Sequence, residues 1–336
     1  MNSRRFLLIL IPLAVFAAGS VVLALLLGPS DFRAGEVLGA LFAGDARANL
    51  REIAFLRLDR ALAALLVGAA LSAAGVVTQS VLRNPLAEPY ILGISGAAGL
   101  ASALSALVFG SILALSGLIS AAPAVLGALG AVLFIIGVQR TVRALGSEGL
   151  ILLGVMVNAF CGSMVIALAS FMGEMQLMSF FRWLIGSFAI VPYSEGDLVG
   201  AGLLVLGLVF MLMFDARTMN LLSLSDDEAR SLGVNVNHRR RYLLLIAGML
   251  TAVSVSLAGL VGFVGLVVPH AVRRAFGADV RIVLPASVLT GAGLLVLCDT
   301  LARNVLPGTE VPVGVVTALL GAPVFVVILL SRSRNG

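Results

Sequence analysis

The sequence predicts an all-α polytopic membrane protein of about ten transmembrane helices with both termini on the cytoplasmic side. Three observations predict it. First, 60% of the 336 residues are hydrophobic and 12% are charged, against roughly one quarter charged in an ordinary soluble domain. Second, the apolar residues gather into runs near the ~20 residues that a helix needs to cross a hydrocarbon core about 30 Å thick. Third, the 22 basic residues, all of them arginine, are shared unequally between alternate connections.

Taken in order, Arg4 and Arg5 precede the first run, 6–27. It exceeds the roughly 7–15 residues of a signal-peptide core and no small-x-small cleavage site follows, so it reads as a retained helix. The arginine pair brushes against a twin-arginine export signal, but a cytoplasmic helix end accounts for it. Further runs lie at 61–82, 91–109, 115–138, 150–171, 198–214, 242–261, 263–276, 282–298 and 313–330, the eighth of the series being short. An even number of crossings returns the C-terminus to the side of the N-terminus. With that side cytoplasmic, 15 arginines face inward and 7 outward: Arg33, Arg47, Arg51, Arg57, Arg60, Arg182 and Arg303. The split obeys the positive-inside rule and the reverse orientation violates it. The chain thus reads as one transmembrane domain, 1–336, with extracytoplasmic segments at 29–60 and 172–197 and a cytoplasmic loop at 216–241.

That inner loop carries a local code. Ser225-Asp226-Asp227-Glu228 matches the capping box, in which Ser and Glu satisfy each other's free backbone amides. The three acids also sit at the positive end of the helix dipole. Gly233 follows Ala229-Arg230-Ser231-Leu232 where a left-handed C-terminal cap needs no side chain. A helix of about two turns starting at Asp226 is expected, lying outside the membrane.

Several kinds of chemistry are excluded or disfavoured. Without a lysine the chain has no G-x-x-x-x-G-K-[ST] phosphate loop. It has no H-E-x-x-H or G-x-S-x-G motif and no metal-ligand spacing of His, Cys and acids. His238 and His270 fit structural hydrogen bonds, and Cys161 and Cys298 fit small buried hydrophobes. The net charge of +5 comes from scattered arginines rather than a basic stripe, which argues against nucleic acid. Acids cluster at span ends (Glu88, Glu148, Asp215, Asp299, Glu310), leaving mid-membrane mainly the neutral Thr78, Gln79, Asn158, Thr251, Ser254 and Ser256. Ion-coupled secondary transporters keep ionisable groups there, so that alternative, or an exporter of an amphipathic solute, is weakened but stays open.

Three stretches resemble one family, the type II ABC importer permeases for iron-siderophore, haem and cobalamin. The first is Arg57-Leu58-Asp59-Arg60 with Leu66-Val67-Gly68-Ala69-Ala70-Leu71, Gln79, Leu82-Arg83-Asn84-Pro85-Leu86-Ala87-Glu88-Pro89 and Leu92-Gly93-Ile94-Ser95-Gly96. The second is Glu228-Ala229-Arg230-Ser231-Leu232-Gly233-Val234 with Gly262-Phe263-Val264-Gly265-Leu266-Val267-Val268-Pro269-His270. The third joins Leu284-Pro285-Ala286-Ser287, Asp299-Thr300-Leu301-Ala302-Arg303 and the run from Glu310 to Pro323.

The resemblance implies the type II permease fold in a bacterial inner membrane, and a non-catalytic subunit with no cofactor of its own. It also implies a homodimer, two copies of a separate ATPase that binds ATP and Mg, and a periplasmic or lipid-anchored binding protein delivering a ferric siderophore, haem or cobalamin. It makes Asp227, Glu228, Ala229, Arg230, Ser231, Leu232 and Gly233 the ATPase-coupling residues. Arg57, Arg60 and Arg303 become the binding-protein docking residues; Asp59 stands where the family commonly has proline, placing an acid between two of them. Asn158, Met172, Met175, Met178 and Arg182 are implied to line the translocation path. The methionines fit lipid or core packing equally well, and Arg182 fits an interfacial anchor beside Trp183.

Overall fold

The computed structural model describes residues 3–28, 39, 48–109, 118–142, 146–189, 195–306 and 309–333, and among them the regular structure is entirely helical. The helices are α1 (Ser3–Leu26), α2 (Ala48–Val81), α3 (Ile94–Phe109), α4 (Leu118–Thr141), α5 (Ser147–Ala169), α6 (Glu174–Leu184) and α7 (Glu195–Phe214). They continue as α8 (Ala216–Leu222), α9 (Asp226–Ser231), α10 (Val236–Ala258), α11 (Val264–Phe276), α12 (Val280–Asn304) and α13 (Val313–Ser333), with a 3₁₀ turn at Pro89–Leu92. Seven of them, α1, α2, α4, α5, α7, α10 and α12, are long and apolar enough to cross a membrane. Of the other predicted runs, α3 and α13 are shorter apolar helices by the same measure, and the eighth run is the 13-residue α11.

The second run is corrected at its start. Its helix begins at Ala48 rather than 61, so Arg57 and Arg60 lie on α2 and not in a loop. Charges at Arg51, Glu52, Arg57, Asp59 and Arg60 interrupt the apolar pattern, yet Arg, Glu and Leu are good helix formers. The segment 172–197, expected to be extracytoplasmic, likewise contains α6 and the first turn of α7. Residues 29–38 and 40–47 of the segment 29–60, Arg33 and Arg47 among them, fall outside the described residues.

Helix α2 is the axis of the bundle, packed by α12, α10, α11 and α1. Its surface is mostly small: Ala61, Ala63, Ala64, Val67, Ala70, Ala73, Ala74 and Val77 are all buried. Between membrane helices there is little hydrophobic driving force, so close backbone approach supplies the contact energy. Gly68 shows the constraint: a Cβ there would run into the carbonyl of Gly291 on α12. Five of the mid-chain polar groups expected at the membrane centre are turned inward. Thr78, Thr251, Ser254 and Ser256 are buried and donate to carbonyls of their own helices. Gln79 crosses from α2 to α11, donating to the Leu266 carbonyl at 3.1 Å and accepting from Arg273. Between α10 and α11 the amide of Phe263 donates to Glu88 at 2.6 Å, fixing Phe263 at a left-handed φ of 69°.

Candidate functional site

The predicted short helix forms as α9, and both of its ends are closed by the expected chemistry. Ser225 Oγ accepts from the Glu228 amide at 3.2 Å, while Glu228 Oε2 accepts from the Ser225 amide at 2.9 Å. At the other end Gly233 takes a φ of 85°, and the amides of Gly233 and Val234 donate to the carbonyls of Arg230 and Ala229. That pair of bonds is the Schellman motif. One side of the helix is seated: Ala229 is fully buried. The other carries Asp227, Glu228, Arg230, Ser231, Leu232 and Gly233, all exposed.

Asp226, one residue before the predicted set, fixes this helix to the bundle. Its Oδ1 accepts from Arg83, just beyond α2, and from Arg240 on α10 at 3.1 Å. Arg83 holds a left-handed φ of 51° and also donates to the Leu222 carbonyl of α8 at 2.8 Å. Burial alone would push the Asp226 carboxyl up, but Arg240 and Arg83 together hold it below the usual range. Glu228 is held low as well, by the hydrogen bonds from Ser225. The signal for Asp226 lay in the capping box; nothing in the linear sequence pointed to Arg83 and Arg240 as its partners.

The three predicted docking arginines converge at the opposite end. From Arg60 to Val81 α2 rises roughly 32 Å at 1.5 Å per residue, close to one hydrocarbon thickness. Arg60 binds Asp299 through two nitrogens, at 2.9 and 3.1 Å, and Glu310 at 2.8 Å. Arg303 Nε lies 3.2 Å from the other oxygen of Asp299. Arg57 is buried beneath α1, donating to the Leu25 carbonyl at 2.9 Å. Buried arginines in apolar surroundings need such carboxylates. Asp299 is 1% exposed and Glu310 36%, so the network opens outward only at Glu310.

The proposed path residues divide. Met175, Met178 and Arg182 occupy one exposed face of α6, at i, i+3 and i+7, with Met175 87% exposed. The opposite face is anchored by Phe180 stacked on Trp183, centroids 6.1 Å apart. Met172 packs against the core instead. Asn158 is engaged inside the bundle: it donates to the Tyr90 carbonyl at 3.0 Å and accepts from the Gly96 amide at 2.9 Å, tying α5 to the start of α3. No cluster of metal-binding side chains exists among the described residues.

Helices this apolar, with a capped helix projecting from one end of the bundle, define a multi-pass membrane protein. The chain belongs to the FecCD transport family, whose model matches residues 13–331. It is 40% identical over 286 residues to the hemin transport system permease protein HmuU of Yersinia pestis, covering 83% of each chain. It is 38% identical over 280 residues to the vitamin B12 import system permease protein BtuC of Serratia proteamaculans, covering 83% of this chain and 82% of that one. A solved structure of a metal-chelate type ABC transporter in an inward-facing conformation superposes with a TM-score of 0.81 at 29% identity, covering 97% of this chain and 99% of its own. The protein is therefore a non-catalytic permease subunit of an ABC importer, multi-pass in the bacterial inner membrane, and it works with an ATPase on a separate chain.

Proposed function

We propose that this permease imports a metal chelate of the haem, cobalamin or ferric-siderophore class. It works as a homodimer of ten-helix chains with both termini cytoplasmic, served by two ATPase subunits that hold ATP and Mg and by an extracytoplasmic binding protein. The observation that carries the reading is α9, a projecting helix capped at both ends and tied through Asp226 to α2 and α10. A push on its exposed face, through Asp227, Glu228, Arg230, Ser231, Leu232 and Gly233 around the seated Ala229, is passed to the bundle axis rather than lost in a loose loop. At the other end, docking uses the Arg57, Arg60 and Arg303 cluster by exchange: a carboxylate of the binding protein displaces the solvent-exposed Glu310 from Arg60. The chelate passes along the face of α6, where methionines adapt to irregular ligands and Arg182 pairs with a carboxylate. Met172 and Asn158 hold that region in place.

The test is uptake by the chain reconstituted with its ATPase and binding protein. Glu228→Arg or Leu232→Asp is expected to abolish chelate uptake while the protein remains inserted and monodisperse. Wild-type uptake by both variants would overturn the coupling assignment. Which chelate co-purifies with the binding protein fixes the substrate among the three.

A further inference from the structure

At the α9 end of the bundle, the last turn of α4 and the first turns of α10 enclose a cavity of about 370 Å³ lined by Gln139, Arg140, Asn237 and Arg241. Neither Arg140 nor Arg241 has a carboxylate partner among the described ion pairs. Arg241 spends only its Nε, on the Asn237 carbonyl at 3.0 Å, leaving its terminal nitrogens for another acceptor. Gln139 is 9% exposed, and both its carboxamide nitrogen and oxygen are buried with no hydrogen-bond partner. A buried amide in that state forgoes its hydrogen bonds to water without replacing them, so a polar occupant that satisfies it is favoured.

We propose that this cavity binds the headgroup of an anionic phospholipid from the cytoplasmic leaflet, the leaflet assignment resting on the orientation proposed above. The arginines match the phosphate, and the Gln139 amide donates to a phosphate oxygen. The Gln139 carbonyl needs a donor, which the glycerol hydroxyls of phosphatidylglycerol supply. A second feature points to lipid rather than a free anion. Leu126, Leu133 and Arg140 follow at seven-residue spacing along one face of α4, and both leucines are more than half exposed. An acyl chain lying on that face places its headgroup at the cavity mouth. Basic pockets between transmembrane helices on the cytoplasmic side hold anionic headgroups by the same physics.

The experiment is lipid retention by the purified full chain, delipidated and then exchanged into nanodiscs of phosphatidylglycerol mixed with phosphatidylcholine, read by native mass spectrometry. Wild type is expected to retain phosphatidylglycerol selectively. The double variant Arg140→Gln, Arg241→Gln is expected to lose about thirtyfold in that preference, and Gln139→Leu to lose part of it. Arg140→Lys with Arg241→Lys is expected to keep most of it, which shows that the charge and not the fold is being read. Arg217→Gln, an exposed arginine outside the cavity, is expected to change nothing. Equal retention by wild type and the double glutamine variant overturns the site. So does release of the lipid by millimolar inorganic phosphate, which marks a free-anion site. Loss of ATPase binding by the double variant with lipid retention intact also overturns it, because the arginines then belong to a protein contact. None of these readouts depends on transport, so failure here leaves the importer reading untouched.

Discussion

Replacing Asp226 by asparagine tests whether α9 is a rigid lever. The side chain keeps its size and one acceptor oxygen but loses the charge on which Arg83 and Arg240 converge. Arg240 is almost fully buried, 3% exposed at its side chain, so its charge-assisted bond is worth about 1.5–3 kcal/mol. The Arg83 contact is partly solvated and adds at most about 1 kcal/mol. With asparagine retaining a neutral hydrogen bond, a net loss of about 2–3 kcal/mol is expected for the seating of α9. That corresponds to roughly 30- to 150-fold faster opening, measurable as amide hydrogen exchange over residues 226–234 in the detergent-solubilised protein. Asp227→Asn is the control: that residue is 94% exposed and, among the described residues, pairs with Arg230 one turn away, an interaction of about 0.5 kcal/mol or less. Its exchange is expected to change less than about threefold. If the two variants exchange alike, Asp226 does not anchor the helix and the lever argument fails.

Acid should loosen α9 for the same reason. Asp226 and Glu228 are both held below their ordinary values in the folded protein, so their contribution is complete above the unfolded-state carboxylate range. It is lost as pH falls through the lower folded values, and protection of 226–234 is therefore expected to stay flat from pH 7 to about 5 and decline below about 4. Asp299→Asn should leave Arg303 and Arg60 buried without their shared carboxylate, lowering stability by about 3–5 kcal/mol; unfolding in mixed micelles reads the shift, and a change below about 1 kcal/mol refutes the buried-network account. Glu310→Gln should speed capture of the binding protein at low salt by removing the competitor for Arg60. Capture kinetics by surface binding test it, and a slower on-rate would show that Glu310 positions Arg60 rather than blocking it.

The architecture was legible wherever it rests on one-dimensional patterns. Apolar runs located α1, α3 to α5, α7 and α10 to α13 within several residues, and the capping box with Gly233 located α9, because both signals are written in neighbouring residues. The start of α2 was illegible for the opposite reason: the Arg60 charge is met by Asp299 and Glu310, far along the chain, and Arg57 by the Leu25 carbonyl of α1, so a composition window reads a loop where there is a helix. The arginine cluster follows the same logic. Resemblance drew attention to Arg57, Arg60 and Arg303, but only the three-dimensional structure reveals that they enter any docking event already engaged, through Leu25, Asp299 and Glu310. A partner carboxylate meeting this preformed network gains little from simple attraction, since Arg60 and Arg303 are already ion-paired and Arg57 is bonded to the Leu25 carbonyl, and what it gains comes from exchange at the exposed edge. In the proposed docking, selectivity for the cognate binding protein depends on displacing Glu310 from Arg60 at the correct angle, a requirement that a stray acidic surface meets far less often than mere proximity to positive charge.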